Sequence, residues 1–154
     1  MFENQWDSSY YYYKYALELT ELKKYPFEIS ILHELGILYR SMGNLDAAEP
    51  YFLSAYQKET DEEKKYMECL SLGYLYMQMG RIQDARKYLK LSMNATHPYT
   101  RIDAYTYLYF LEKDIDNFEE AIIYHEKADS ITKAIEKVNC GELIVRLQKE
   151  DEKV

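Results

Sequence analysis

Glycine, proline and cysteine are scarce in this chain of 154 residues, which contains five, three and two of them respectively. So few turn-forming residues argue against a β-fold and predict helices joined by short loops. Two cysteines are too few for a disulfide framework. No apolar run approaches the roughly 18 residues of a membrane span, and the N-terminus lacks the pattern of a signal peptide. We expect an all-α chain that is soluble and cytoplasmic as given.

Basic residues are outnumbered, since 19 Lys and Arg face 27 Asp and Glu and leave a formal charge of -8. Such a chain repels phosphates, so we expect this segment to bind no nucleic acid directly. Apolar residues make up 47% of the chain, which is too rich for disorder. The 18 tyrosines against 5 phenylalanines favour an elongated protein with much half-buried surface, because each phenol needs water or a partner.

One segment of the chain repeats itself. Residues 35–55 align without a gap with residues 72–92, and the alignment preserves the pairs Leu-Gly, Leu-Tyr and Met-Gly and a later Ala-x-x-Tyr. A weaker third copy covers residues 107–128. In the first half of each strong copy the apolar residues follow helical spacing, and Gly43 and Gly80 stand where a helix would end. Each copy therefore predicts a pair of helices.

These copies resemble the tetratricopeptide repeat, a unit of about 34 residues that folds into two antiparallel helices. The matching positions are Leu35, Gly36, Tyr39, Gly43, Ala48, Phe52 and Ala55 in the first copy and Leu72, Gly73, Tyr76, Gly80, Ala85, Leu89 and Ser92 in the second. The resemblance implies a TPR-like α-α superhelix of about three repeats. We expect an N-terminal half-repeat helix at 6–24, repeats at 27–60, 61–96 and 97–131, and a C-terminal capping or stalk helix at 132–152.

Three features depart from this pattern. Pro50 falls inside the second helix of repeat 1, so that helix is expected to start late or to bend. In repeat 3, Tyr109 and Asp116 replace the glycines while Glu112 and His125 replace aromatics; a turn longer by one residue would instead put Leu111 in the Tyr position, and the sequence leaves both registers open. After repeat 3, Ile131, Ile135 and Val138 would cover its open face, and Cys140 and Gly141 predict a kink or break between them and a second short apolar stripe of Leu143, Ile144 and Leu147.

Residues that could carry chemistry are dispersed. The three histidines and two cysteines show no metal-binding spacing, so we expect no metal, no cofactor and no catalytic residue. Cys69 lies at a core position of repeat 2, where a cysteine usually serves as a small apolar residue. Glu112 with His125 is the one acid–base pair that an enzyme could use, provided that repeat 3 has no longer turn.

The resemblance implies a binding surface, because the first helices of such repeats line a concave groove that binds peptides. By position, the groove residues are His33, Ile37, Arg40, Leu70, Tyr74, Met77, Thr106, Phe110 and Lys113. A second candidate surface consists of Tyr10, Tyr11, Tyr12 and Tyr13, since four consecutive residues of a helix cannot all face inward. This run is either a wet end cap or an association surface, and a homodimer through the terminal helices is one outcome.

The end of the chain carries a further resemblance. Its Ala-x-x-Tyr-His-Glu-Lys pattern followed by a charged helix is similar to the sensor segment of certain bacterial signalling proteins. We therefore expect a non-catalytic module that binds a protein or peptide and acts as a sensor or scaffold in a larger bacterial regulatory protein, on the periplasmic side if that protein is membrane-linked. The alternatives are a self-associating structural module and, less favoured, an enzyme subunit.

Overall fold

The structure, a computed structural model, describes residues 10–12, 14–18 and 27–151, and in that part of the chain every regular element is a helix. The elements are α1 (Glu28–Ser41), α2 (Leu45–Lys58), α3 (Glu62–Gln78), α4 (Ile82–Ser92), α5 (Pro98–Asp114) and α6 (Phe118–Asp151). Residues 10–12 and 14–18 are helical as well. The predicted all-α fold is confirmed.

Three tight turns join the helices into pairs. Each turn contains one residue with a left-handed backbone: Gly43 at φ 78°, Gly80 at φ 71° and Asp116 at φ 61°. The next N–H in each turn donates to a carbonyl five residues earlier. These hydrogen bonds run from Asn44 to Tyr39, from Arg81 to Tyr76 and from Asn117 to Glu112, each at 2.9 Å. Repeat 3 therefore has the same turn as the others, and Glu112, not Leu111, occupies the Tyr position.

Close helix approach explains two of the glycines. A Cβ on Gly36 would lie 2.8 Å from the Phe52 ring, and one on Gly73 would lie 2.6 Å from the Leu89 side chain. Both distances are below van der Waals contact, so only glycine allows these helices to pack as they do. The glycines thus let a large apolar side chain of the second helix press against the backbone of the first.

The core runs without interruption through all three helix pairs. Its fully or nearly fully buried members are Ala48, Phe52, Leu72, Leu75, Tyr76, Ala85, Leu89, Leu108, Leu111 and Tyr124. Successive pairs meet where α2 packs against α3 and α4 packs against α5, while α3 also packs against α5. Stacked pairs of this kind form a TPR-like α-α superhelix, in which each pair buries its apolar faces only through its neighbours.

The second helix of repeat 1 corrects one expectation. It begins at Leu45, directly after Asn44, whose side-chain Oδ1 accepts a hydrogen bond from the Ala47 N–H at 3.3 Å. The expected late start is therefore wrong. Pro50 stands inside the helix, which tolerates the loss of one N–H donor there because tertiary packing holds the flanking residues Ala48 and Phe52 completely buried.

The C-terminal helix corrects another. It continues from Phe118 to Asp151, so the expected break at Cys140 and Gly141 is wrong, and the residues expected to form a capping or stalk helix continue the second helix of repeat 3 as far as Asp151. A single glycine costs a helix only about 1 kcal/mol relative to alanine, and Glu142 and Leu143, which follow Gly141, are good helix formers. Ile131 and Ile135 are half-buried, whereas Val138 is 59% exposed, so of the three residues expected to cover repeat 3 only Val138 is largely open to solvent.

Candidate functional site

The first helices of the three repeats, α1, α3 and α5, touch through side chains. His33 Nδ1 lies 2.8 Å from Glu68 Oε2, the Arg40 guanidinium lies 4.8 Å from the centre of the Tyr74 ring, and the Tyr74 and Tyr107 rings stack at 4.9 Å. These partners are 33 to 35 positions apart, whereas equivalent positions are 36 or 37 apart. Each side chain thus contacts a residue of the following repeat that lies about one helical turn before the equivalent position in that repeat.

Six of the groove residues predicted from the sequence belong to repeats 1 and 2. All are half-buried: His33, Ile37, Arg40, Leu70, Tyr74 and Met77. Three of them, Ile37, Leu70 and Met77, pack against the core. Because a following repeat lies against each of them, these side chains contribute to packing between repeats and expose only part of their surface to solvent.

The other three predicted groove residues belong to repeat 3 and are more open. Phe110 is 46% exposed, Lys113 is exposed and Thr106 is half-buried. Thr106 and Phe110 line a cleft of about 320 Å³ between α5 and α6, together with Ile102, Tyr109, His125, Ala128, Asp129 and Thr132. The Lys113 ammonium lies 5.7 Å from the Tyr109 ring centre. This cleft is accessible because no described helix covers that side of repeat 3.

A strip of aromatic and charged side chains crosses all three first helices. It consists of Arg40 on α1, Tyr74 on α3, and Tyr107 and Asp103 on α5. Loss of solvation raises the pKa of the Tyr107 phenol, and the nearby Asp103 carboxylate adds to this effect. The sequence alone does not identify Tyr107 and Asp103 as members of this strip. Groove positions are transferred between repeats by the repeat length of 36 or 37 residues, whereas contacting residues of neighbouring first helices are only 33 to 35 positions apart.

An acidic cleft of about 480 Å³ separates the first turns of α1 and α3. It is lined by Ile29, Ser30, His33, Glu34, Glu59, Lys64, Met67 and Glu68. Glu68 and Glu59 are buried, and Glu59 accepts the N–H groups of Thr60 and Asp61 at 2.9 Å. Since three of these side chains are carboxylates against one lysine, the cleft suits a basic group better than an acidic one.

Polar contacts between each second helix and the following repeat recur at one position. At the first junction, Glu49 accepts from the Tyr76 hydroxyl at 2.8 Å and from Arg81 at 2.7 Å. At the second junction, Arg86 donates to both oxygens of Glu112 at 2.6 and 3.0 Å. Asn117 also donates to Glu112 at 2.8 Å.

The two residues considered as an acid–base pair have separate surroundings. The Glu112 side chain is 2% exposed, and the hydrogen bond from Arg86 holds its pKa below the usual range. His125 is exposed and faces the ring of Tyr109 at 5.3 Å. The structure therefore gives Glu112 a partner in the second helix of the preceding repeat and leaves His125 on the surface.

The remaining reactive groups are structural or isolated. Cys69 is 2% exposed, and burial raises the pKa of its thiol to about 12, which keeps it protonated. Within residues 10–12, 14–18 and 27–151, no three His, Cys, Asp or Glu side chains converge as metal ligands would. Among the same residues, no helix combines the length and apolarity that crossing a membrane requires.

The tyrosines at the N-terminal end divide into packed and exposed members. The Tyr10 ring meets Tyr39 edge-on at 5.5 Å, so this helical segment rests on repeat 1. Tyr11 and Tyr12 are 68% and 71% exposed. Tyr13, the fourth member of the run, lies outside the described residues, as do parts of the expected helix at 6–24.

Comparison with protein families gives matches over two stretches. Residues 31–66 and residues 69–95 each match a model of the tetratricopeptide repeat. The chain contains tetratricopeptide repeats. TPR arrays act as protein-interaction or scaffold modules, and the matched stretches begin in α1 and α3, which carry Arg40 and Tyr74 of the strip described above. Comparison with curated protein sequences gives no significant match.

A similar fold is found among solved structures. The crystal structure of BtubC (BKLC) from P. vanneervenii superposes with a TM-score of 0.78 at 17% sequence identity. The match covers 86% of this chain and 59% of that one, so the present chain corresponds to little more than half the length of BtubC. At this level of identity the likeness concerns the fold.

Proposed function

We propose that the concave side of this TPR module binds a segment of a protein or peptide and that the module catalyses no reaction. The observation that supports the proposal is the strip defined above, in which Arg40, Tyr74 and Tyr107 connect the first helices of all three repeats. Buried aromatic and arginine side chains supply most of the binding energy at protein interfaces. Half-buried rings of this kind offer apolar area without needing to become ordered on binding.

The strip and the clefts beside it suggest how a peptide would lie. Ile37, Tyr74 and Phe110 supply apolar contacts along the three first helices, while Arg40 and Lys113 are placed to bind backbone carbonyls or a carboxylate. The acidic cleft between α1 and α3 would take a basic side chain of the same peptide. This combination of apolar anchors and a few polar groups fits an extended or helical peptide.

The absence of catalysis is supported by what the candidate groups already do. Glu112 is held by Arg86 and Asn117, and the Cys69 thiol is buried in the core. A general acid or base must reach a substrate proton, and both side chains are only 2% exposed. His125 lines the cleft of repeat 3. Its expected partner, the Glu112 carboxylate, is instead bound to Arg86.

In the wider setting, we propose that the module is a sensor or scaffold part of a larger bacterial regulatory protein. Support comes from α6, a helix of 34 residues that begins within repeat 3. Because its first half is packed against α5 and it continues unbroken, a change in the curvature of the array would shift its far end. Distances between spin labels on α1 and on the end of α6 would therefore change when a peptide binds.

The groove can be tested in two steps. Peptides that bind the wild-type protein are selected from a random displayed library, and their affinities are then measured with fluorescently labelled peptides. Tyr74→Ala and Tyr107→Ala should each weaken binding by about tenfold or more, as expected for a central aromatic anchor, whereas Tyr107→Phe should bind like wild type. Ile123→Ala, on the exposed side of α6, is the matched control. Thermal unfolding confirms that the variants are folded, and unchanged affinity of both alanine variants would exclude this surface.

A further inference from the structure

One side of α6 carries a heptad stripe that extends from packed into exposed surface. Residues spaced alternately four and three apart lie on one side of a helix. In α6 these are Ile131, Ile135, Val138, Glu142, Val145 and Lys149. Ile131 and Ile135 are half-buried, whereas Val138 and Val145 are 59% and 49% exposed. The stripe therefore offers packing positions that no described helix occupies over its second half.

Two clefts follow this stripe and join at Val138. The first, of about 280 Å³, lies between the first turn of α5 and α6 and includes Arg101, Ile135 and Val138. The second, of about 640 Å³, continues from Val138 to Lys149 and is lined by α6 alone. We call the two clefts together the α6 groove. Because α5 begins at Pro98, the groove has two walls at one end and a single wall at the other.

The α6 groove is basic, although the whole chain has a formal charge of -8. The charged residues that line it are four cations and one carboxylate: Arg101, Lys137, Arg146, Lys149 and Glu142. Within the described residues, none of the four cations forms an ion pair. Because these charges are not neutralised within the described part of the chain, the groove attracts an anionic partner.

Arg101 gives the two-walled end of the groove a specific anchor. This residue is half-buried, and its Nε is buried without a hydrogen-bond partner among the described residues. A buried donor that is left unsatisfied costs free energy, and none of the described residues lining the first cleft carries a negative charge. Arginine binds carboxylates through two parallel N–H···O bonds. An unpaired arginine beside apolar side chains therefore indicates a carboxylate as the ligand.

We propose that the α6 groove binds an acidic amphipathic helix of a partner protein. The apolar residues of that helix pack against Val138 and Val145, as in a coiled coil, and its carboxylates pair with Arg101 and the other cations. At about 1.5 Å per residue, the stripe from Ile131 to Lys149 is roughly 27 Å long, which a helix of about five turns covers. This groove lies outside the concave strip, so the proposal does not depend on peptide binding there.

The geometry and the charges disfavour two other occupants. A second copy of this chain, paired along the same stripe, would bring two positively charged grooves together. A flat anionic membrane surface would not enter the cleft between α5 and α6 where Arg101 lies. An acidic helix avoids both difficulties.

A library of displayed helical peptides, with a fixed heptad of leucines and random flanking positions, tests the chemistry of the partner. Selection uses the wild-type full chain, and only peptides that bind Tyr74→Ala equally well are kept, which excludes the concave strip. The flanking positions of these peptides should be enriched in Asp and Glu. Enrichment of neutral or basic residues, or a lack of any such peptides, would overturn the proposal.

Affinities of the kept peptides, labelled for fluorescence anisotropy, test the site. Val145→Glu should weaken binding by about tenfold or more, because it places a charge in an apolar contact. Arg146→Gln should weaken binding by about threefold, as expected for an exposed ion pair. The matched controls, Ile144→Glu and Lys133→Gln, alter exposed residues off the stripe and should bind like wild type. Equal effects of test and control variants would contradict the proposal.

Arg101→Met separates binding from folding. It should weaken binding by about tenfold or more, since the carboxylate loses its partner. Its urea midpoint should not fall, because the variant also removes the buried, unpartnered Nε. A lower midpoint with unchanged affinity would show that Arg101 is structural and would refute the proposed anchor.

Two measurements without peptide test the other occupants. They are flotation with vesicles that contain phosphatidylserine and sedimentation of the protein over a range of concentrations. Neither vesicle binding nor a dimer should depend on Val145. Vesicle binding or a dimer that Val145→Glu abolishes would replace the acidic helix as the occupant of the groove.

Discussion

Repeats 2 and 3 share one turn geometry but fill the space between their helices differently. In repeat 2, Gly73 allows Leu89 to press against the backbone of α3. In repeat 3 the same two positions are Tyr109 and His125, whose rings lie side by side at 5.3 Å, and Tyr124 is buried instead. Two large side chains cannot share the space that one occupies, so the burial shifts by one residue along α6.

A second difference lies in how each repeat meets the one before it. Repeat 2 presents the Tyr76 hydroxyl to Glu49, and repeat 3 presents the Glu112 carboxylate to Arg86. The polarity of the pair is reversed while its position in the repeat is kept. A junction between repeats therefore needs complementary partners at this position and not a particular residue type, and the second junction depends on a buried ion pair where the first does not.

Removing the carboxylate at the second junction should have the largest effect. Glu112→Ala leaves Arg86 and Asn117 without their shared partner, and breaking a buried ion pair from one side costs roughly 3 kcal/mol or more. Tyr76→Phe, which removes only a hydroxyl at the first junction, should cost about 1 kcal/mol. Urea unfolding of both variants gives the two free energies.

The reason for that loss can be checked with a double variant. Arg86→Met with Glu112→Leu replaces both charges with apolar groups of similar size, which is often close to neutral in such pairs. It should recover most of the stability that Glu112→Ala loses. If the double variant is no more stable than Glu112→Ala, the carboxylate acts through something other than its pairing with Arg86.

The glycine in repeat 2 should give the next largest effect. A Cβ at position 73 meets Leu89 at 2.6 Å, and overpacking of this kind costs about 1–3 kcal/mol, more than the roughly 1 kcal/mol that alanine gains in helix propensity. Gly73→Ala should therefore destabilise the protein by about 1–2 kcal/mol. Gly141→Ala, in a helix with open space around it, is the matched control and should raise stability or helix content; a stabilising Gly73→Ala would show that Leu89 can move aside.

The third turn should respond in the opposite direction. Asp116 has φ 61°, a conformation that glycine adopts without strain and that costs most other residues about 1 kcal/mol or more. Asp116→Gly should therefore raise the unfolding free energy by about 0.5–1 kcal/mol, while Gly80→Ala should lower it by a similar amount. A destabilising Asp116→Gly would mean that the aspartate side chain supports the turn.

The sequence predicts those features that depend on local pattern. Repeated Leu-Gly and Met-Gly pairs predict the helix pairs and their left-handed ends, because glycine is required where Gly36, Gly73, Gly43 and Gly80 stand. The sequence leaves the register of repeat 3 open, since Asp116 carries no equally strong signal. The backbone hydrogen bond from Asn117 to Glu112 shows which register the protein adopts, and this bond exists only once the chain has folded.

The candidate site was predictable only in part. Transferring groove positions from one repeat to the next identifies Arg40 and Tyr74 but not Tyr107. In the superhelix a residue contacts a residue of the next repeat that lies about one helical turn before the equivalent position. The pairing of Arg86 with Glu112 has a sequence signal in hindsight, since Glu49 and Arg86 occupy one repeat position and Tyr76 and Glu112 another. The unbroken course of α6 had no sequence signal, because a lone glycine within a helical pattern permits either outcome.

Acid should weaken the second junction, and this effect should be the smallest of the four. The pKa of Glu112 is lowered in the folded protein, chiefly by Arg86. Its contribution is thus complete above the ordinary glutamate pKa of about 4.3 and disappears as the pH falls through the folded value. Asp103, whose pKa is raised by desolvation, acts with the opposite sign. The unfolding free energies of wild type and Glu112→Gln, measured from pH 6 down to pH 3, isolate the effect of Glu112 because Asp103 is present in both proteins. The two free energies should converge as the pH falls. Parallel curves would show that the contribution of the ion pair does not depend on the protonation of Glu112.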